Sequence, residues 1–577
     1  MRHTMTMLLL LLFALTPADA AKIITRSFKT TLADGRTVVV TPRGDEFGVC
    51  YFTEEGEPVK YDNGKWRVAE SGEMAAANSR MLSLRAKSAP QLPVSSNYFP
   101  HSGTPKALVL MVDFADRKFT YSHAEIDKWL NATDYQTSDP FSGYSSVAQY
   151  FNDSSKGKFR PVFDLKGPYT LSKSVKYYGQ NSTSTDSDIP ERRTEMLTEA
   201  CRLAHEAGVN FKDYDADGDN RVDLIYIIYA GFGEHIYNPD ANGRNTNADY
   251  LWPMSSSYSG VTYDGVSSYR YGISNELLGY DGIAAEMGWS KDKLTGIGVF
   301  IHEMGHTLGL PDVYPTVSWS DLTWYDDQSM ESWDVMDNGQ NMYNTVRPIP
   351  YSAWEREWMG WDTIEELTAS GDYTAKTLAS GGKAYKIINP NDASGNEFYV
   401  LETLPTGKDA GWYRSVPNRG LLVTHINYSS TYFENFGCPN NNQGSPRWTI
   451  IPANGKLYTS YRSQLNPSSP NYKSSDELKA NMQGNVFPGT GNVTSLSVWK
   501  EYNPTMNVKL SNITQTDANT VTFTADMGST GIKSPVSDMD TDSVDRIYNL
   551  NGICVGNGTE KLPKGVYVRN GRKFVVQ

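Results

Sequence analysis

Hydrophobic and polar positions change rhythm several times along the chain, and each rhythm predicts a different kind of structure. The first is an unbroken apolar run, Leu8 to Leu15 (LLLLLFAL). It is too short to cross a bilayer, which needs about 20 residues. MRHTMTM with Arg2 precedes it and TPADA follows, ending in Ala18-Asp19-Ala20. A basic start, a short apolar core and a small-residue site predict a secretory signal peptide over 1–20, cut after Ala20. No cysteine follows the cut and no second apolar span occurs, so a lipid anchor and a transmembrane segment are not expected.

Residues 21–96 alternate short apolar and charged stretches with glycine turns. Val38-Val39-Val40 and Gly48 to Phe52 predict strands, EEGEP and YDNGKW predict turns, and an Ala/Ser/Lys-rich connection follows over 73–93. From Lys106 the character changes. ALVLMVDF (107–114) and LIYIIYAG (224–231) are continuous apolar runs, the pattern of strands covered on both faces. Apolar positions in SVAQYFNDSSKGKF and ERRTEMLTEACRLAHEAG recur at helical spacing. This mixed helix-and-strand character runs over 97–365. Over 366–530 the chain reads as nearly all short strands (KAYKIINP, NEFYVLETL, GLLVTHINY, RWTIIPANGKLY, NVTSLSVWKEY, TMNVKL, TVTFTADM), a β-sandwich-like region. Residues 531–577 comprise a polar Ser/Asp linker and a compact β unit with Asn-Gly turns at 551, 557 and 570.

Composition narrows the function classes. In 577 residues, hydrophobic residues are 39% and aromatics 12%, which excludes a disordered chain. Lys plus Arg is 53 against 66 Asp plus Glu, a net charge of −13 without a basic cluster, so neither nucleic acid nor an anionic membrane is an expected partner. Cys50, Cys201, Cys438 and Cys554 are too few and too scattered for a disulfide scaffold or a CxxC zinc module.

The chemistry concentrates in one segment, Gly296 to Asp312, which contains His302-Glu303-Met-Gly-His306-Thr-Leu-Gly309-Leu-Pro-Asp312. Residues four apart share a helix face, so His302 and His306 can offer two imidazole nitrogens to one metal ion. Glu303 projects beside that face, placed to take a proton from water activated by the metal. Zinc is the expected ion: it favours imidazole and carboxylate in tetrahedral sites, keeps an open position for water, and lowers the pKa of that water toward about 7. With 8 His in the chain, chance matches to HExxH number roughly 0.006. Gly309 can end the helix in a left-handed turn. Asp312 then either returns to the metal as a third ligand or hydrogen-bonds the turn.

HEMGHTLGLPDVY resembles the extended motif of metzincin metallopeptidases, and most closely that of the immune inhibitor A-like (M6) secreted peptidases. The resemblance extends over roughly 100–460: Ser332-Trp-Asp-Val-Met336-Asp is similar to the Met-turn, and PYSAWEREWMGW to the helix after it. It implies zinc held by His302, His306 and Asp312, Glu303 as catalytic base, Met336 beneath the metal, and protein or peptide substrates. The expected fold class is α+β: a metzincin-like zinc peptidase domain with a mixed twisted sheet and active-site helix, preceded by a β-rich propeptide and followed by a β-sandwich-like region and a small C-terminal β unit. A secreted or cell-surface proenzyme, monomeric, is the expectation. Its alternatives are a surface binding or adhesive protein with a non-proteolytic zinc site, and a gluzincin-type peptidase whose third ligand is a distal Glu such as Glu331.

Outside this centre, Asp213, Asp215, Asp217, Asp219 and Asp223 form a dense acidic loop around Gly218. Oxygen donors at alternate positions suit Ca²⁺. Position twelve is Leu224 rather than Glu, so the loop is not an EF-hand, and a Ca²⁺ site and a solvated acidic turn both stay open. His235, His425 and Glu234 read as structural. Cys50 and the Asp45-Glu46 pair are candidate blocking elements for a latent form. The tail LPKGVYVRNGRKFVVQ resembles the sorting tails of Bacteroidetes exported proteins, which implies contact with a secretion machinery, or else it is a simple terminal hairpin.

Overall fold

The computed structural model describes residues 27–45, 48–70, 72–74, 76–77, 98–133, 145–181, 189–240, 244–279, 288–316, 326, 328–392, 394–407, 410–434, 437–441, 444–497, 499, 506–528, 547–549, 554–556, 562, 564–569 and 572–576. The expected signal peptide, Glu46, residues 78–97 of the connection, the linker over 529–546 and the three Asn-Gly turns lie outside the described residues.

The N-terminal strands β1 (Phe28–Thr31), β2 (Thr37–Asp45), β3 (Gly48–Thr53), β4 (Pro58–Asp62) and β5 (Lys65–Val68) form an antiparallel meander in sequence order. Its apolar face, with Phe28, Val40, Val59 and Trp66, closes against Tyr237 and Trp252 from the following region.

The central sheet is built from β6 (Lys106–Asp113), β7 (Val162–Thr170), β8 (Ile225–Tyr229), β9 (Met254–Ser257) and β12 (Arg270–Asn275), with a small hairpin of β10 (Thr262–Tyr263) and β11 (Val266–Ser267) beside it. The order is β7-β6-β8-β12-β9; the pairs are parallel except that β9 runs antiparallel to β12. The unbroken apolar run of β6 is explained by burial on both faces. Ala107, Val109 and Met111 point into a core with α1 (His123–Asn131), α2 (Val147–Ser154) and α5 (Gly298–Thr307). Leu108, Leu110 and Val112 point into a second core with α3 (Val175–Gly179) and α4 (Pro190–Glu206). Local signals start these helices: a Ser122/Glu125 capping box, Ser146 accepting from Gln149 N–H, and Pro190 in the first turn of α4.

Downstream, β13 (Glu365–Glu366), β15 (Tyr385–Ile388), β16 (Glu397–Leu404), β17 (Gly420–Asn427) and β18 (Trp448–Ile450) form one sheet in that order. A second, ordered β14-β20-β19, combines β14 (Gly371–Lys376), β19 (Lys509–Asp517) and β20 (Thr520–Asp526). Tyr399, Leu401, Leu421 and Val423 meet Ala375, Leu510, Val521 and Phe523 between the two sheets, a sandwich arrangement. The alternate residues Phe398, Val400, Leu404, Leu422 and Ile426 face the other way and complete the core that contains α5. The sandwich therefore shares its inner sheet with the upstream region, and the chain through Met527 is one compact unit.

Two expectations for this region change. NVTSLSVWKEY supplies no strand among its described residues, only the bridge Leu496–Leu510, while Trp499 donates from Nε1 to Val508 O at 2.7 Å. The helix expected within PYSAWEREWMGW is α6 (Ala353–Trp358), ahead of the strands, but two unexpected helices, α7 (Ser430–Phe433) and α8 (Ser475–Gln483), lie among them. The α8 start is a Ser474/Glu477 capping box, a local signal that a strand-by-strand reading passes over.

The second unit, from Gly528, holds β21 (Ile547–Asn549), β22 (Cys554–Gly556), β23 (Gly565–Arg569) and β24 (Arg572–Val576) in the order β22-β21-β23-β24, all pairs antiparallel. No described helix is long and apolar enough to cross a membrane.

If the sandwich and the α5 core are one cooperative structure, Ile426→Ala, which empties a fully buried site, lowers the stability of both together by about 2–5 kcal/mol. Urea unfolding followed by near-ultraviolet circular dichroism and by limited proteolysis is expected to give coincident shifted midpoints.

Candidate metal centre

Helix α5 is buried along its whole length, which explains its nearly all-round apolar sequence. Glycine lets another segment lie directly on its first turn: a Cβ on Gly298 would sit 1.9 Å from Gln340 O, and Gly298 N–H donates to Thr345 O at 2.8 Å.

On this rigid element His302 and His306 stand one turn apart, their Nε2 atoms 3.1 Å from each other. The chain leaves α5 through Gly309, at φ +93, and returns Asp312 so that its Oδ1 lies 3.2 Å from His302 Nε2 and 3.3 Å from His306 Nε2. Donors about 2.0–2.1 Å from a common tetrahedral centre stand about 3.3 Å apart, so these three edges fit a zinc-sized ion. The far nitrogens are occupied: His302 Nδ1 donates to Val335 O at 3.1 Å and His306 Nδ1 to Leu310 O at 2.9 Å. With Nδ1 donating on each ring, both Nε2 atoms face the shared point where a cation would sit.

The electrostatics favour positive charge at this point. Burial pulls His302 below its ordinary range. Burial pulls on His306 too, but the adjoining Asp312 outweighs it and lifts the imidazole to about 9. Burial opposes ionisation of Asp312, yet the two imidazoles hold its carboxyl far below the usual carboxylate range. Glu303, one position from the histidine face, is pushed up to about 8, chiefly by burial. Both of its carboxylate oxygens are buried and meet no hydrogen-bond partner among the described residues.

A turn over 334–337 underlies the group. Met336 Sδ lies where a Cβ on Gly305 would come within 2.5 Å of it, so the thioether packs against the middle of α5. Met336 O accepts from Val313 N–H at 3.1 Å, next to Asp312, and Val335 O holds His302. Sequence patterning did not anticipate a further clasp from the sandwich region: Asn440 Nδ2 donates to Val313 O at 2.7 Å and Cys438 Sγ to Tyr314 O at 3.0 Å. An isolated Asn in a loop carries no signal of such a partner 127 residues away.

The other candidates resolve differently. Glu331 accepts from Ser460 N–H and Ser329 Oγ–H and is not part of the convergent group. Cys50 is buried in the N-terminal sheet and does not join it either. His425 pairs with Glu397 at 2.8 Å, and His235 is buried and pulled down to about 3 by burial. In the acidic loop, Asp215, Asp217 and Asp223 come together within 4.8 Å, with Asp223 raised to about 7 mainly by burial. Asp213 accepts from Asn210 Nδ2 and Asp219 from Arg221 N–H, and neither belongs to the group of three that converges.

Gly309→Ala tests the turn that returns Asp312. A side chain there is strained at positive φ and would meet the Tyr98 ring at 2.8 Å, so a loss of about 1–3 kcal/mol is expected, read as a lowered melting temperature.

Over 289 residues the chain is 25% identical to the pre-pro-metalloprotease PrtV of Vibrio cholerae, covering 44% of this chain and 30% of that protein. Over 276 residues it is 24% identical to the immune inhibitor A of Bacillus thuringiensis subsp. alesti, covering 41% of this chain and 36% of that protein. The chain thus spans about a third of the length of these curated relatives. Residues 96–363, the stretch holding α5, Asp312 and the Met336 turn, match the family described as immune inhibitor A peptidase M6, catalytic domain.

Proposed function

We propose that this chain is a zinc-dependent endopeptidase, exported as a proenzyme, that hydrolyses peptide bonds in proteins. The observation carrying this reading is the convergence of His302 Nε2, His306 Nε2 and Asp312 Oδ1 at 3.1–3.3 Å in a region matched to a peptidase family. Those three residues would hold the ion. When bound, zinc supplies Lewis acidity, lowering the pKa of water toward about 7 and polarising a scissile carbonyl. Glu303, with no partner for its carboxylate among the described residues, takes the proton from the attacking water. The same carboxyl then gives that proton to the leaving amine. Met336 packs on Gly305 and so supports the middle of α5, between the two imidazoles and the turn beneath them.

In this reading residues 21–96 are a propeptide removed by proteolysis after export; their sheet packs on Tyr237 and Trp252 of the following region. Export through the N-terminal signal and handling of the C-terminal β unit by a secretion machinery complete the proposal. Calcium at Asp215, Asp217 and Asp223 would relieve the repulsion among three clustered carboxylates.

Glu303→Ala is expected to keep stoichiometric zinc and lose hydrolysis of unfolded casein by about two to four orders of magnitude. Asp312→Ala is expected to lose the metal as well, read by metal analysis after dialysis. Wild-type rates in Glu303→Ala would exclude its role as base. Millimolar Ca²⁺ is expected to raise the melting temperature of the wild type but not of Asp217→Asn; equal shifts would remove calcium from the loop.

A further inference from the structure

Beneath the turn that carries Met336 lies a pair of acids that the proposed hydrolysis does not use. Asp334 and Glu355 are both 0% exposed, and their side chains lie within hydrogen-bonding reach of each other. Asp334 Oδ1 accepts from Met336 N–H at 2.7 Å. Glu355 Oε2 accepts from Ser352 N–H at 2.6 Å and Ser352 Oγ–H at 2.8 Å. The remaining oxygens, Asp334 Oδ2 and Glu355 Oε1, are buried and meet no donor among the described residues.

Ser352 lies within hydrogen-bonding reach of Asp334 as well as of Glu355, but its hydroxyl carries a single hydrogen and cannot serve both acids. Asp337, on the same turn, is occupied by the N–H groups of Met330, Glu331 and Asn338 at 2.8–2.9 Å. Tyr150 of α2 donates to Ile349 O, and Tyr351 donates to Ile301 O on α5. Arg356 directs Nε to Tyr351 O and Nη1 toward Asp362. Two ionised carboxylates in contact in an apolar interior repel strongly, and neither has a hydrogen to offer the other. One proton between them removes the repulsion and makes a bond.

We infer that Asp334 and Glu355 share one proton, and that this carboxyl pair is a positioning device for the metal centre, acting through the 334–337 turn. The path is short. Asp334 fixes Met336 N–H; Val335 O fixes the His302 ring; Met336 O fixes Val313, next to Asp312. One turn thus sets a ligand on α5 and the segment bearing the third ligand. Burial pushes both carboxyls above the ordinary acid range, in keeping with a retained proton. The pair's role toward the metal rests on the zinc reading above; the shared proton does not.

The test compares the full-length wild type with Glu355→Gln and Asp334→Asn, each of which builds the shared hydrogen in as an amide N–H. A carboxyl whose folded-state pKa is raised loses stabilisation as pH climbs from its unfolded value toward its folded one. The wild-type melting temperature is therefore expected to fall relative to both amide variants as pH climbs from about 5 through about 7 and beyond. Zinc retention against a competing chelator is expected to match wild type near pH 6, and to exceed it by about tenfold or more near pH 9. Parallel melting curves at all pH values would overturn the shared proton, as would failure of both amide variants to fold. Divergent melting curves with identical zinc retention would leave the proton and overturn the positioning role. A wild type that binds no zinc would instead defeat the metal reading, and the melting curves would still decide the pair.

Discussion

Everything in the central region serves one requirement: two imidazoles and a carboxylate must meet within 3.3 Å of one another inside an apolar core. Polar groups in such a place cost several kcal/mol unless each is directed and paired. The chain meets this with restraints on both rings and on the segment that carries the acid. Backbone carbonyls of Val335 and Leu310 take the outer nitrogens, the helix sets the spacing of the rings, and a left-handed glycine returns the acid.

The restraints come from distant parts of the chain, which explains why the region does not stop where the helix-and-strand pattern stops. Gln340 and Thr345 lie on the first turn of α5, Met336 on its middle, and Asn440 on the loop after it. The inner sheet of the sandwich places Leu422 and Ile426 in the same core as Phe300 and Met304. The downstream strands are thus part of the scaffold of the centre, with their opposite face left to pair with the second sheet.

The same logic separates the two acidic features. Asp215, Asp217 and Asp223 sit on a partly exposed loop, and each accepts from a backbone N–H, those of Asn220, Asp219 and Ala216 respectively. Asp334 and Glu355 are fully buried and face no cation among the described residues, so their protonation is coupled to the turn they support.

The spacing of His302, Glu303 and His306 was legible in the sequence because a helix converts a four-residue interval into one face. Gly309 was legible because only glycine takes that turn cheaply, and the buried strands β6 and β8 because their apolar runs are continuous. Tertiary structure alone decided which of the two open roles Asp312's geometry favours, and that Glu331 turns instead to Ser460. It also decided which three acids of the loop converge, and that the sandwich shares a core with α5. These outcomes depend on contacts between residues far apart in the chain. Local periodicity reports which face of an element is buried, but not what buries it.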